Sequence, residues 1–251
     1  MCEEKRMIDT IICGDCLEVM PTLEDNSVDM VLADLPYGVT DCKWDIQIPL
    51  DKLWLQFERI IKPLNVVVFT STQPYSTDII TSKREWFKYE WVWDKSTPSN
   101  PQLANKRPLN VHETLLVFSK KRTPYNPQMV KKETPIDRRN WKFTKGIHFH
   151  SESGDKCKRL HTHSFPTSIL HYSAAAGECN GVNRSITTQK PIALFEYIIK
   201  TYTNEGDTVL DPTAGSGTTA VACHKSNRHY ICIEKEPEYC AIAEKRIAEM
   251  L

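Results

Sequence analysis

The chain has 251 residues, 40% hydrophobic and 25% charged, which suits one α/β domain with an insertion or two small domains. Its apolar runs, such as Val66-Val67-Val68-Phe69, fall far short of the ~20 residues that a membrane span needs. The formal net charge of zero favours no partner by itself, but residues 94–184 hold 16 Lys+Arg against 7 Asp+Glu and the remainder holds 16 against 25. A basic stretch joined to an acidic domain suits a surface that faces a polyanion. The opening Met1-Cys2-Glu3-Glu4-Lys5-Arg6 lacks the apolar stretch of a signal peptide, so a cytoplasmic protein with no membrane partner is expected, in a prokaryotic or viral host cell.

Nine cysteines, an odd number spread along the whole chain, argue against a disulfide framework. Cys13-Gly14-Asp15-Cys16 has metal-ligand spacing, but no second pair follows it. Cys157, His161 and His163 lack a fourth ligand nearby, so no metal is expected.

In chain order, residues 10–13 and 28–33 are short apolar runs ending in polar, loop-like residues, as buried parallel strands do. Residues 50–61 repeat apolar side chains at helical spacing, and Lys62-Pro63 stops the pattern. Strands are predicted over 66–70, 90–93 and 114–118, the last two flanking a Pro- and Asn-rich loop. Periodicity then fails from Lys120 to His163, which predicts an irregular insertion. Order returns with a helix over 191–202, a strand over 208–210, a glycine loop, a helix over 218–225, a strand over 230–233 and a helix over 238–250. Strands alternating with helices predict an α/β fold, a doubly wound and mainly parallel sheet.

Asp207-Thr-Val-Leu-Asp-Pro-Thr-Ala-Gly-Ser-Gly-Thr-Thr219 is a strand running into a small-residue loop that opens a helix. The next strand ends in Glu234, in position to take ribose hydroxyls as in a nucleotide-binding βαβ unit. The loop begins with a carboxylate, Asp211, which would repel a dinucleotide's pyrophosphate. It would attract the ammonium and sulfonium of S-adenosylmethionine, so that cofactor is preferred. Asp34-Leu-Pro-Tyr-Gly38 follows the strand over 28–33 and should lie at its carboxyl end, where ligands bind in open α/β sheets.

These motifs bring a family into view. The tetrapeptide Asp34-Leu35-Pro36-Tyr37 resembles the D-P-P-Y motif of DNA amino-methyltransferases, and the glycine loop resembles their S-adenosylmethionine motif. Thr188-Gln-Lys-Pro191, with the helix after it, resembles the segment that holds the cofactor's methionine end. The catalytic loop precedes the cofactor loop, as in the family's permuted β group. The resemblance implies a Rossmann-like methyltransferase sheet divided into a catalytic half (1–94), a target-recognition insertion (95–165) and a cofactor-binding half (166–251).

It also implies roles. Asp34 and the Leu35 carbonyl would accept hydrogen bonds from the target amine, Pro36 would shape the loop, and Tyr37 would stack on a flipped base. Asp15, Asp34, Gln189, Lys190, Pro191, Asp211, Pro212, Thr213, Gly215, Ser216, Gly217, Thr218 and Glu234 would bind the cofactor. Leu35 departs from the more frequent proline but keeps the carbonyl. Trp91-Val-Trp-Asp-Lys95, the loop from Asn105 to Pro108 and His112-Glu113 resemble the frame of the base pocket. Lys95, Asn105, Lys106, Arg107, Arg138 and Arg139 are candidate DNA contacts.

Double-stranded DNA is the implied substrate, with a second copy of the chain and a cognate restriction endonuclease as candidate partners. Adenine N6 is the expected acceptor, because an acidic first residue is commoner there than in cytosine-N4 enzymes. Cytosine N4 and a catalytically silent DNA-binding regulator stand as alternatives. No Pro-Cys dipeptide of a carbon-5 methyltransferase occurs, nor the H-x-E with P-C-x-x-C of a zinc deaminase.

Overall fold

The computed structural model describes residues 7–38, 45–137, 160–173 and 189–250, with residues 135–137, 160 and 161 described by their backbone alone. In a strand, successive side chains point to opposite faces, so a strand with an unbroken apolar run feeds two cores at once. That is the pattern of β2 (Val28–Ala33), β3 (Ile61–Ser71) and β5 (Asn110–Phe118). Met30, Leu32, Val66, Val68, Leu115 and Val117 enter one core, while Val31, Ala33, Val67, Phe69, Leu116 and Phe118 enter the other.

Helices cover both faces. On one side α2 (Leu50–Ile60) buries Leu53, Trp54, Phe57 and Ile60, and α3 (Tyr75–Ser82) buries Tyr75, Ser76 and Ile79. On the other lie α4 (Ile192–Tyr202), α5 (Thr218–Lys225) and α6 (Pro237–Ala248), with α4 contributing Leu194, Phe195, Ile198, Ile199 and Tyr202. The sheet is completed by β1 (Thr10–Cys13), β4 (Phe87–Ser99), β8 (Ile169–His171), β9 (Thr208–Asp211) and β10 (His229–Glu234), in the order β1-β10-β9-β2-β3-β5-β4-β8. A short helix α1 (Cys16–Val19) follows β1. The pairs among β1, β10, β9, β2 and β3 are all parallel, whereas β5 runs antiparallel to both β3 and β4. This is a doubly wound, mainly parallel α/β sheet, as the alternation of elements predicts.

Besides the unpredicted α1 and β8 and a longer β3, three departures from the sequence pattern bear on the site or the insertion. α3 lies in a Ser- and Thr-rich stretch whose few apolar residues do not announce a helix. β4 and β5 are longer than predicted, because their outer halves pair as exposed ribbon. The stretch expected to be irregular carries two paired strands, β6 (Val130–Asp137) and β7 (Leu160–Ser164), in antiparallel register from Val130↔Ser164 to Asp137↔Leu160. Val130, Lys131, Glu133, Thr134, Thr162 and His163 are exposed, so the described side chains of this pair form no buried face that would impose the alternation revealing a strand.

By internal contacts the chain forms two units, Pro127–Thr167 and the remainder. Residues 95–126 belong to the larger unit. Among the described residues no helix is long and apolar enough to cross a membrane, and no group of three or more His, Cys, Asp or Glu is placed to hold a metal ion.

Candidate active site

Parallel strands end on the same edge of a sheet, and here four of them end in acids. β2 runs into Asp34, β9 ends at Asp211, β10 ends at Glu234, and β1 leads through Gly14 to Asp15. The registers Cys13↔Glu234 and Cys232↔Asp211 bring three of these ends side by side.

Neighbouring backbone holds most of these carboxylates. Asp15 caps α1, its Oδ1 accepting from the Leu17 N–H at 2.9 Å, while Lys235 Nζ lies 3.1 Å from Oδ2. Burial alone would raise the Asp15 carboxyl, but these two partners outweigh it and hold it below its ordinary value. Glu234 accepts the Gly215 N–H at 2.7 Å on one oxygen and the Glu236 N–H at 2.8 Å on the other. Asp211 is 2% exposed, accepts the Thr213 N–H at 3.0 Å and also takes the Thr219 hydroxyl. Burial pushes its carboxyl up to about 7, against these two donors, with the charges of Asp34 and Glu234 adding to the rise.

Two glycines shape the loop for different reasons. Gly215 has φ +52° with open space where a side chain would go. Gly217 has φ +78°, and a Cβ there would meet the Ala243 Cβ of α6 at 2.7 Å, so it lets the loop lie flat on that helix.

The loop after β2 is held by longer connections. Asp34 Oδ1 accepts hydroxyls from Thr70 and, at 3.1 Å, from Tyr37, while Lys190 Nζ reaches Oδ2 at 2.6 Å. The Asp34 carbonyl accepts the Thr213 hydroxyl at 3.0 Å, which ties this loop to the glycine loop. Burial, reinforced by the charges of Asp34 and Glu113, pushes the Tyr37 hydroxyl well above its ordinary value, so it stays a donor at neutral pH. The Tyr37 ring lies 5.7 Å from that of Tyr75. The Leu35 side chain is 2% exposed in the α2-side core, which gives an apolar residue a reason to stand there. Gly38 N–H to Asp45 at 2.8 Å and Gln47 Nε2 to the Tyr37 carbonyl at 2.7 Å brace the end of the loop.

The four carboxylates and the two loops between them open into one cavity of about 430 Å³. A family model described as DNA methylase (N6_N4_Mtase) matches residues 28–245. The chain belongs to this DNA methylase family. It is 30% identical to the type II methyltransferase M.HinfI of Haemophilus influenzae, over 97% of this chain and 69% of that one. Its fold is similar to that of the M1.HpyAVI–SAM complex, at TM-score 0.64, 24% identity, and coverage of 95% and 98%. The cytosine-N4-specific PvuII DNA methyltransferase gives TM-score 0.65 at 17% identity, with coverage of 94% and 85%.

In this DNA methylase the cavity gathers Asp15, Asp34 to Tyr37, Gln189, Lys190, Asp211, Pro212, Thr213, Gly215, Ser216, Thr218 and Glu234. Pro191 and Gly217 do not line it: Pro191 caps α4, and Gly217 packs on α6. Lys95 is 11% exposed and pairs with Glu113 at 3.2 Å, so it is not a free surface lysine. Asn105, Lys106 and Arg107 are exposed, whereas Arg138, Arg139, Cys157 and Thr188 lie outside the described residues.

Sequence reasoning missed Thr70 and the wall formed by Asp45 to Pro49. Neither carries a local signal, because both reach the site through strand pairing and loop packing. Glu113 was legible only as part of a framing segment.

Proposed function

We propose that this DNA methylase transfers a methyl group from S-adenosylmethionine to the N6 amine of adenine in double-stranded DNA. The observation that carries the reading is the Asp34–Tyr37 loop and the glycine loop opening into one acid-lined cavity. The cavity falls in the ~300–1,000 Å³ range of small-molecule sites. Its donor set fits a cationic nucleoside: Asp211 and its neighbours for ammonium and sulfonium, Glu234 for ribose hydroxyls, and Asp15 for the adenine end.

When bound, the cofactor would supply an electrophilic methyl group on a sulfonium, leaving as a neutral thioether that keeps the carbon–sulfur pair, while the amine's displaced proton would pass by way of Asp34 to water. The amine is a poor nucleophile because its lone pair is delocalised into the ring. Asp34 and the Leu35 carbonyl accept its N–H bonds, favour a pyramidal nitrogen and aim its lone pair. Tyr37 stacks on the flipped base, an interaction worth on the order of 1–3 kcal/mol. The rate then comes from positioning and electrostatics without a covalent enzyme intermediate. Asn105, Lys106 and Arg107, together with Arg138 and Arg139, serve as the DNA contacts.

Asp34 favours adenine. Cytosine N4 is the second reading, supported by the fold shared with the cytosine-N4-specific PvuII enzyme. Incubation with methyl-labelled cofactor and sequence-diverse DNA, followed by digestion to nucleosides, should put label on deoxyadenosine. Label on deoxycytidine overturns the adenine assignment, and unlabelled DNA overturns methyl transfer.

A further inference from the structure

The Asp34 carboxylate already has partners. Thr70 and Tyr37 hydroxyls point at Oδ1, and the Lys190 ammonium sits 2.6 Å from Oδ2. That state is ill suited to the chemistry proposed above, on which this inference rests. An ammonium on Oδ2 neutralises the charge that should draw the amine proton. It also opposes the positive charge that grows on the nitrogen as the methyl arrives.

Lys190 has a second place to go. Glu113 lies on β5, whose register sets Thr114 opposite Ser71 of β3, next to the Thr70 that holds Asp34. Glu113 Oε1 is occupied by Lys95 at 3.2 Å. Its Oε2 is buried without a hydrogen bond and lies 3.8 Å from Lys190 Nζ. Buried carboxylate oxygens are ordinarily satisfied, so one left bare beside an ammonium is a vacant acceptor. Lys190 and Lys95 are each 11% exposed and Glu113 is 14% exposed, so the exchange takes place away from bulk water. Burial by itself would lower the Lys190 ammonium, but the charges of Asp34 and Glu113 outweigh it, so the mobile group stays a cation.

We propose that Lys190 is a two-position latch on Asp34: it holds the carboxylate in the base-free enzyme and passes to Glu113 Oε2 when the target amine engages Asp34, with Lys95 fixing Glu113 as receiver. Lys190 and Glu113 are thus positioning residues. The ammonium keeps an anionic partner throughout, and no bond is made or broken by the exchange.

The test has two arms on the full chain. In the first, Lys190 acetylation by acetic anhydride is followed by mass spectrometry, without DNA. Asp34→Asn should leave Lys190 as protected as in the wild type, because Glu113 takes it. Asp34→Asn combined with Glu113→Gln should speed its labelling about tenfold or more, the effect of lowering its pKa by one unit. Equal labelling in the single and double variants would overturn the proposal. In the second arm, Glu113→Gln should lower single-turnover methyl transfer at saturating DNA by roughly tenfold or more, the size of one charge-assisted hydrogen bond. Its Kd for S-adenosylmethionine should stay unchanged, and Glu113→Asp should recover part of the rate. Transfer at the wild-type rate in Glu113→Gln would also overturn the latch. If Glu113→Gln does not fold, Glu113→Asp is compared with wild type, and an unaltered rate counts against the proposal. A wild-type protein that methylates no DNA defeats the functional reading alone, because the labelling arm still decides whether Lys190 has two acceptors.

Discussion

The two ends of the cavity hold their acids in different ways. At the carboxyl ends of β1, β9 and β10, backbone N–H groups do most of the work: Leu17 on Asp15, Thr213 on Asp211 and Glu236 on Glu234, each two residues from its acceptor. At the corner of β2, β3 and β5, side chains do it, with Thr70 and Lys190 reaching Asp34 across 36 and 156 residues of sequence. A backbone donor two residues away is fixed as soon as the turn forms. A lysine or a hydroxyl from another strand can exchange partners. The first arrangement suits a site that must keep its shape around a bound nucleoside. The second suits a carboxylate that must give up one partner to take another.

Breaking the corner held by side chains should have the largest effect. Asp34→Ala is expected to lower methyl transfer by at least ~10²–10³-fold, the scale of losing a group aimed at transition-state charge. S-adenosylmethionine should still bind, as isothermal calorimetry beside a single-turnover assay will show. Transfer near the wild-type rate would end the assignment of Asp34.

Asp211→Asn should act at the other end, weakening cofactor binding by roughly 10- to 100-fold as one charge-assisted contact is lost, with a smaller effect on transfer at saturation. The pH dependence sharpens this contrast. With its carboxyl raised from 3.8 to about 7, folded Asp211 keeps its proton where the unfolded chain has lost it. Its contribution to stability is therefore full below about pH 4 and falls away as pH rises to about 7. Binding of a cation runs the other way: affinity should increase as pH rises through 7, because the ligand favours the ionised form. Calorimetry between pH 6 and 8 should show this slope in the wild type and lose it in Asp211→Asn.

Gly217→Ala should lower stability by about 1–3 kcal/mol, since it combines a left-handed backbone with overpacking against Ala243. Gly215→Ala carries the backbone cost alone, about 1 kcal/mol, because nothing stands where its methyl would go. Thermal melts of the pair separate the two causes, and equal losses would mean that contact with α6 is unimportant. Thr70→Val, the mildest change, removes one donor from Asp34 and should slow transfer up to ~10-fold without shifting cofactor affinity. A shift in that affinity would mean that the two ends are not independent.

At the backbone-held end both the acids and what holds them are legible in sequence. Asp15, Asp211 and Glu234 each stand at a strand-to-loop junction, and strand followed by glycine loop and helix is a local pattern. The loop Asp34-Leu35-Pro36-Tyr37 was equally readable, and burial of Leu35 accounts for its one unusual member. Thr70 and the wall from Asp45 to Pro49 left no trace, and Lys95 read as a DNA contact and not as the partner of Glu113, because these contributions depend on which strands and loops become neighbours. β6 and β7 were unreadable for another reason: where their described side chains are exposed, no alternation of apolar and polar residues is required.

Local chemistry in the sequence therefore determined the doubly wound sheet, the edge on which the acids gather and the kind of ligand they attract. Strand order and register decided the rest. Only the antiparallel insertion of β5 beside β3 brings Glu113 to the Asp34 corner, and only the packed fold sets Lys190 between the two acids. Contacts across 36 to 156 residues are fixed by the closing of the whole sheet, and no run of neighbouring residues carries them.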